Sequence, residues 1–330
     1  MYRPHFSWNS FHPQDLSTIL KTLPPVDMCV IQDYDMLNFD HIPLISLEVH
    51  KIMKTGAGCC ILRNVYSKEL MNEFNNWCED ILEEAKQDPN STHPIQPDKY
   101  LINDVISRLA KSNTSLLVEL LNNNYLTSIC DSVLGMMCYG SVTSHWINPG
   151  GSKQQSHVDY PIHFRSSPFW NGDINKLKRM ITKDQMEHIL PKHSIQAVIA
   201  TDAMNKHNGS TEVVPYSQNI ELIDIRIQEP EVKELLEDKF ISVELNQGDV
   251  LLFSRNLVHR GGANSSNKRR NALILQCVHL FATPQEEYDY ELVQQQLCSC
   301  TAYNSLSCEE KEEFLIRLKQ PFPRIVKIST

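Results

Sequence analysis

The chain has 330 residues, 41% hydrophobic and 22% charged, with a formal net charge of −9. That length allows a sizeable core, while the acidic balance excludes sequence-independent nucleic-acid binding, which needs a dense basic surface. No apolar run reaches the roughly 18 residues of a membrane-spanning helix, so no membrane partner is expected.

The N-terminus, MYRPHFSWNSFHPQ, lacks the apolar middle of a secretory signal, and the C-terminal RIVKIST matches no peroxisomal address. The ten cysteines are scattered, most of them in apolar contexts such as Cys277 in LILQCVHL. They read as reduced, buried thiols, and the expected location is cytoplasmic. Cys298, Cys300 and Cys308 fit no zinc-binding spacing.

In chain order, residues 1–45 carry prolines at 4, 13, 24, 25 and 43 and read as an irregular N-terminal extension. A helix is predicted over 46–56 and a short buried strand over 58–65. Ser67 caps a helix over 68–85, in which Leu70, Met71, Phe74, Trp77, Cys78, Ile81 and Leu82 recur at helical spacing and form one buried stripe. After a polar loop over 86–100, helices are predicted over 101–111 and 114–134. From 139 to 283 short apolar runs alternate with turn signals such as Asn208-Gly209 and Gly261-Gly262, the pattern of a β-sandwich or barrel. A charged helical pattern returns over 284–319. The expected organisation is one domain over 46–330, mainly helical over 46–138, strand-rich over 139–283 and helical again over 284–330.

The chemistry is concentrated in two segments. Within Ser156-His157-Val158-Asp159, strand alternation places His157 and Asp159 on one face. In Leu257-Val258-His259-Arg260-Gly261-Gly262, His259 ends an apolar strand opened by the Gly248-Asp249 turn. Two imidazoles and a carboxylate on one side of a divalent metal leave the other side open, an arrangement that suits non-haem iron(II) oxygenases. His-x-Asp alone is weak in a chain with 13 histidines. Arg270, eleven residues after His259, strengthens it. It opens the run Asn271–Gln276 and shares parity with Ala272, Ile274 and Gln276, so it points inward, while Arg269 faces out. An arginine inside an apolar barrel needs an anion, and a planar guanidinium suits a carboxylate. The plainer alternative makes both arginines surface turn charges.

These segments together resemble the phytanoyl-CoA dioxygenase family of iron(II)/2-oxoglutarate-dependent oxygenases. GAGCCILRNVYSKELMNEF (56–74) is similar to the family's opening strand and helix, and HVDYPIHF (157–164) to its metal strand. DAMNKHNGSTEVVPYSQ (202–218) is similar to its Asn-Gly stretch, and GDVLLFSRNLVHRGGANSSNKRRNALILQCV (248–278) to its final strand pair. The resemblance implies a mainly β fold with α, a double-stranded β-helix (jelly-roll, cupin-like) core with packed, largely N-terminal helices. It implies that His157, Asp159 and His259 ligate Fe(II), that Arg270 binds the distal carboxylate of 2-oxoglutarate, and that O2 is consumed to hydroxylate a small molecule. Asp159 argues against the related halogenases, in which a small residue replaces this carboxylate. The chain departs from the family where Ser156-His157-Val158-Asp159 stands for a His-Gln-Asp strand and Pro215-Tyr216-Ser217-Gln218 for a Pro-Gly-Ser-His turn.

Other residues carry two readings each. His145 and Gln155 are candidates for co-substrate contact. Gln155 shares parity with His157 if the strand is regular, and otherwise is an exposed loop glutamine. Trp146, Tyr160 and His163 are candidates for the substrate pocket. Arg165, Arg179 and Arg260 meet either an anionic substrate or solvent. Two competing functions stay open: a jelly-roll regulatory protein that binds metal and 2-oxoglutarate without turnover, and a cupin-type isomerase or hydrolase with no use for Arg270.

Overall fold

A computed structural model describes residues 23, 31–35, 42–87, 98–159, 194–220, 227, 230–279 and 288–318. Tyr160, His163, Arg165 and Arg179 lie outside these residues, so their expected roles have no structural account. Among the described residues no helix is long and apolar enough to cross a membrane. All nine cysteines described are free, and only Cys298 and Cys308 are exposed.

The scaffold is a seven-stranded sheet, ordered β1-β2-β8-β5-β10-β4-β3. Its strands are β1 (Asp33–Asp35), β2 (Cys59–Arg63), β3 (Lys99–Ile102), β4 (Met137–Ile147), β5 (Ser194–Ile199), β8 (Val250–Ser254) and β10 (Arg270–His279). β1 pairs parallel with β2, and every other pairing in this sheet is antiparallel. The N-terminal extension thus supplies an edge strand. A smaller sheet, β7-β6-β9, joins β6 (Thr211–Val213), β7 (Ile241–Ser242) and β9 (His259–Gly261).

Central strands read as nearly continuous apolar runs because both faces are buried. Side chains alternate, and each face packs against something different. Ile195, Ala197, Ile199, Leu252, Leu273 and Leu275 join the large cluster under the helices. Val198, Leu251, Phe253 and Ala272 turn the other way and meet Val213, Val243 and Leu245 between the two sheets. Two facing sheets around an inner core, with helices outside one of them, form a jelly-roll.

The outer layer contains α1 (Ile42–Thr55), α2 (Lys68–Gln87), α3 (Val105–Ser112), α4 (Thr114–Leu121) and α5 (Asn124–Leu134). Ser67 caps α2 by accepting from Leu70 N–H at 3.1 Å. The helix expected over 114–134 is two helices. Asn123 accepts from Leu126 N–H at 3.0 Å and so starts a new helix. A short polar side chain competes with the backbone in this way and breaks a continuous helix. The helix expected from 101 begins at Val105, because Lys99–Ile102 forms an edge strand and Asp104 caps α3. The same layer holds α7 (Tyr290–Ser299), α8 (Thr301–Asn304) and α9 (Cys308–Leu318), whose Val293, Leu297, Tyr303 and Phe314 join the large cluster, while α6 (Pro230–Glu237) packs into a separate cluster through Val232 and Leu236. Arg317 fixes α9 to α5 through two hydrogen bonds to Asp131, 3.0 and 2.8 Å long.

Two strand expectations are corrected. The run 249–259 is not one strand: β8 ends at Ser254, and His259 opens β9 in the other sheet. Segment 151–159 is not a regular strand, and His157 makes a single antiparallel bridge to His259.

Candidate metal and co-substrate site

His157 and His259 face each other across that bridge, each donating its N–H to the other's carbonyl at 3.0 and 2.9 Å. Their rings are 4.4 Å apart. Asp159 is held two residues on by its N–H, which donates to the Arg255 carbonyl at 2.9 Å. The turn that carries the chain from β8 to β9 therefore anchors the carboxylate as well. Asp159 Oδ1 lies 3.7 Å from His157 Nε2, and Oδ2 lies 3.5 Å from His259 Nε2.

The tautomers follow from the neighbours. His157 Nδ1 is 2.8 Å from the Gln155 carbonyl, and His259 Nδ1 is 2.9 Å from the Leu257 carbonyl. A carbonyl only accepts, so in each neutral ring Nδ1 carries the proton and Nε2 the lone pair. Burial pushes His259 down to about 4, which keeps it neutral near pH 7. Burial opposes ionisation of Asp159, but His259, Arg255 and His157 outweigh it and hold the carboxyl below its usual range. The Arg255 guanidinium is buried, with Nε 3.9 Å from Asp159 Oδ2. Two Nε2 lone pairs and a carboxylate thus converge, with one ligand atom from each residue all lying within 4.8 Å of one another. This donor set fits an iron(II) ion with open positions, and the carbonyl contacts behind each imidazole are those that orient metal-binding histidines.

The cluster opens into a cavity of about 330 Å³. Arg270, His145, Lys99, Gln154, Thr211 and Gln196 are among the polar residues lining it. Arg270 begins β10 and is 4% exposed. Its Nη2 donates to the Gly209 carbonyl, and its Nε has no partner. Gly209 sits at φ +82°, a conformation that favours glycine and is used here in the turn that presents this carbonyl. Burial lowers Arg270 to about 10, with the Asp202 carboxylate opposing the shift, so the side chain remains cationic at neutral pH. Among the described residues it makes no ion pair. A buried cation with an unused donor, facing a cavity, fits the carboxylate end of a co-substrate.

The remaining candidates separate. His145 lines the cavity and contacts Thr143 Oγ1 at 3.0 Å, and burial followed by Arg270 pushes it down to about 4. Trp146 borders the cavity, but its indole belongs to the helix-side core and donates to Ser144 Oγ at 2.9 Å, under the Arg269 guanidinium. Gln155 is exposed and does not line the cavity; Gln154 does, and its Oε1 accepts from Gly261 N–H at 2.8 Å. Strand parity fails here because the segment makes only the one bridge. Arg260 is neither solvated nor free for an anion, since Glu212 and Glu237 both bind it at 2.6 Å and it lies over Phe240. Lys99, Thr211 and Arg255 escape sequence reasoning, whereas Gln154 belongs to the segment before the metal strand that the resemblance links to co-substrate contact. Lys99 stands in a stretch that reads as loop, and the others carry no spacing that marks them.

A family model described as "Phytanoyl-CoA dioxygenase (PhyH)" matches residues 55–272. "Dioxygenase aneA" of Aspergillus aculeatus is 28% identical over 245 residues, 71% of this chain and 72% of that protein. Among solved structures, EctD from S. alaskensis with bound Fe aligns with a TM-score of 0.54 at 15% identity, covering 83% of this chain and 90% of that one. The epimerase SnoN in complex with Fe3+, alpha ketoglutarate and nogalamycin RO aligns with a TM-score of 0.53 at 13% identity, over 76% and 90% of the two chains. At these identities the structural likeness concerns the fold.

Proposed function

The chain belongs to the phytanoyl-CoA dioxygenase (PhyH) family, and from that premise we propose that it is an iron(II)- and 2-oxoglutarate-dependent oxygenase that hydroxylates an unactivated C–H bond of a small molecule. One observation carries the reading: a 2-His-1-carboxylate cluster and a buried, incompletely satisfied Arg270 share one cavity. His157, Asp159 and His259 hold the metal. Arg270 takes the distal carboxylate of 2-oxoglutarate, with Lys99, Gln154 and Thr211 as the nearby polar lining. When bound, iron supplies the oxidising chemistry, coupling decarboxylation of 2-oxoglutarate to succinate and CO2 with transfer of one oxygen atom from O2 to the substrate.

The protein's own groups do the positioning. The Gln155 and Leu257 carbonyls fix both imidazoles with Nε2 toward the cluster. Phe253, its ring tilted against that of His259 with centroids 4.6 Å apart, packs beside that imidazole. Arg270 orients the co-substrate by a charge-assisted contact in a low-dielectric site, where such contacts are strong.

Succinate release from 2-oxoglutarate, with iron and ascorbate, is the direct assay, and incorporation of 18O from O2 into products of a metabolite extract reads the hydroxylation. Both signals are expected to vanish in Asp159→Ala. Failure of the unaltered protein to bind 2-oxoglutarate, or turnover that persists in Asp159→Ala, would overturn the reading. Binding without any succinate would favour a regulatory protein instead.

A further inference from the structure

On the inner face of the large sheet, past the metal-binding cluster, two glutamines stand side by side. Gln196 of β5 and Gln276 of β10 are register partners, which places neighbouring side chains at about 5 Å. Gln276 is fully buried; its Oε1 accepts from the Ser141 hydroxyl at 3.1 Å, and its Nε2 has no partner. Gln196 lines the cavity, and its buried Oε1 also has no partner. Buried amides almost always complete their hydrogen bonds, because leaving one unmade is costly. Here one acceptor and one donor remain unused on adjacent strands.

The backbone is shaped around this pair. Gln276 pairs with Ser141 and Cys277 with Tyr139, so Gly140 is skipped and the ladder shifts register. Such bulges re-aim side chains next to active sites. A Cβ on Gly140 would lie 3.0 Å from Gln276 Oε1 and 2.9 Å from the Val278 side chain, so only glycine leaves room for the amide as placed.

Position relative to the reaction decides what the pair meets. Gln196 is the register partner of Phe253, whose ring lies 4.6 Å from that of His259. Arg270 is six positions before Gln276 on β10, about 20 Å of extended strand. A dicarboxylate anchored on Arg270 and reaching the metal cluster fills the opposite end of the roll. Between the ends the inner face is apolar, with Val198, Ala272 and Ile274.

We infer that Gln196, with Gln276 buried beside it, determines specificity for the organic substrate by reading a polar edge. Gln196 Oε1 accepts from a substrate hydroxyl or N–H, and Gln276, which lies outside the cavity lining, positions that amide. The substrate class is an oxygenated or amide-bearing small molecule whose hydrocarbon body lies over the apolar stretch, not a bare saturated chain. The inference rests on the oxygenase reading above.

The test uses the full chain loaded with Zn(II), which does not turn over, and saturated with 2-oxoglutarate. Bicyclic keto-alcohols and lactams are each paired with the counterpart in which the hydroxyl or N–H is replaced by a methylene. Ligand-observed NMR measures affinity for both members of each pair. The polar member is expected to bind at least about tenfold more tightly. In Gln196→Met and Gln276→Met, which conserve volume, its affinity falls to that of its counterpart, whose own affinity does not change. Gly140→Ala, which displaces the Gln276 amide, reduces the same preference, and thermal melts check that each variant is folded. Equal binding of the paired fragments, a preference that survives both methionine variants, or no binding of any polar fragment would overturn the inference. Calorimetry of 2-oxoglutarate on the unaltered protein runs alongside. If that binding is absent the oxygenase reading itself fails; if it is present while the fragment preference is absent, only the specificity assignment fails.

Discussion

The same three strands carry different chemistry on their two faces. Toward the helices, Ile195, Ala197, Leu252, Leu273 and Leu275 are apolar and fully enclosed. Toward the interior of the roll, Gln196, Arg270 and Gln276 interrupt Val198, Phe253 and Ala272, and each of the three polar side chains has an atom without a partner. The outer face therefore gains stability from burial, while the inner face gives some of it up to keep polar groups available. Natural proteins accept local violations of this kind where function requires them. The contrast predicts that outer-face substitutions unfold the protein and inner-face substitutions disarm it.

The largest expected effect on stability lies outside. Leu252→Ala should cost about 2–5 kcal/mol by chemical denaturation, because it leaves a cavity in the main core. The folded fraction should bind 2-oxoglutarate as before. Arg270→Ala should do the reverse. Its 2-oxoglutarate affinity should fall by about 2 kcal/mol or more, roughly thirtyfold or greater, since a charged contact in a buried site is lost. Without ligand, its denaturation midpoint should hold or rise, because an uncompensated buried cation has been removed. A fall in both quantities would show that Arg270 supports the fold and would break the division between faces.

A smaller effect appears with pH. Burial, with Arg270 nearby, puts His145 at about 4 in the folded protein, against about 6.5 when unfolded. Between these values the unfolded chain takes up a proton that the folded one refuses. Stability is therefore full above pH about 6.5 and declines as pH falls toward about 4. Urea midpoints across that window should show the slope, and His145→Gln should reduce it, leaving the part due to His259, which burial also holds at about 4. The smallest effect sharpens the comparison at adjacent residues. Trp146→Phe removes the outward hydrogen bond to Ser144 and should cost about 1 kcal/mol, leaving 2-oxoglutarate affinity unchanged. An affinity loss there would place the indole in the site.

Much of this architecture is legible before any coordinates. The apolar stripe and Ser67 cap mark α2, and the short apolar runs after residue 139 mark the strands, because periodicity records which faces leave water. The inward parity of Arg270 is legible too, since β10 is long and regular enough for alternation to hold. Alternation misleads where regular pairing stops. Segment 151–159 has one bridge, and there Gln154, not Gln155, lines the cavity. Asn123 divides a helix that propensity alone would run through.

Spacing in the sequence singled out His157, Asp159 and His259, which the fold brings together, and it marked which positions leave solvent. Tertiary structure decided what each buried polar group meets. Arg260 and Arg270 look alike as letters, yet two carboxylates saturate the first and an open cavity faces the second. Alternation turns Gln276 inward with Arg270, but it does not say that Gln276 would be fully buried beside Gln196 of another strand. The reason is physical: local spacing sets the direction of a side chain, while its partner comes from a strand dozens of residues away, brought there only by the folded roll.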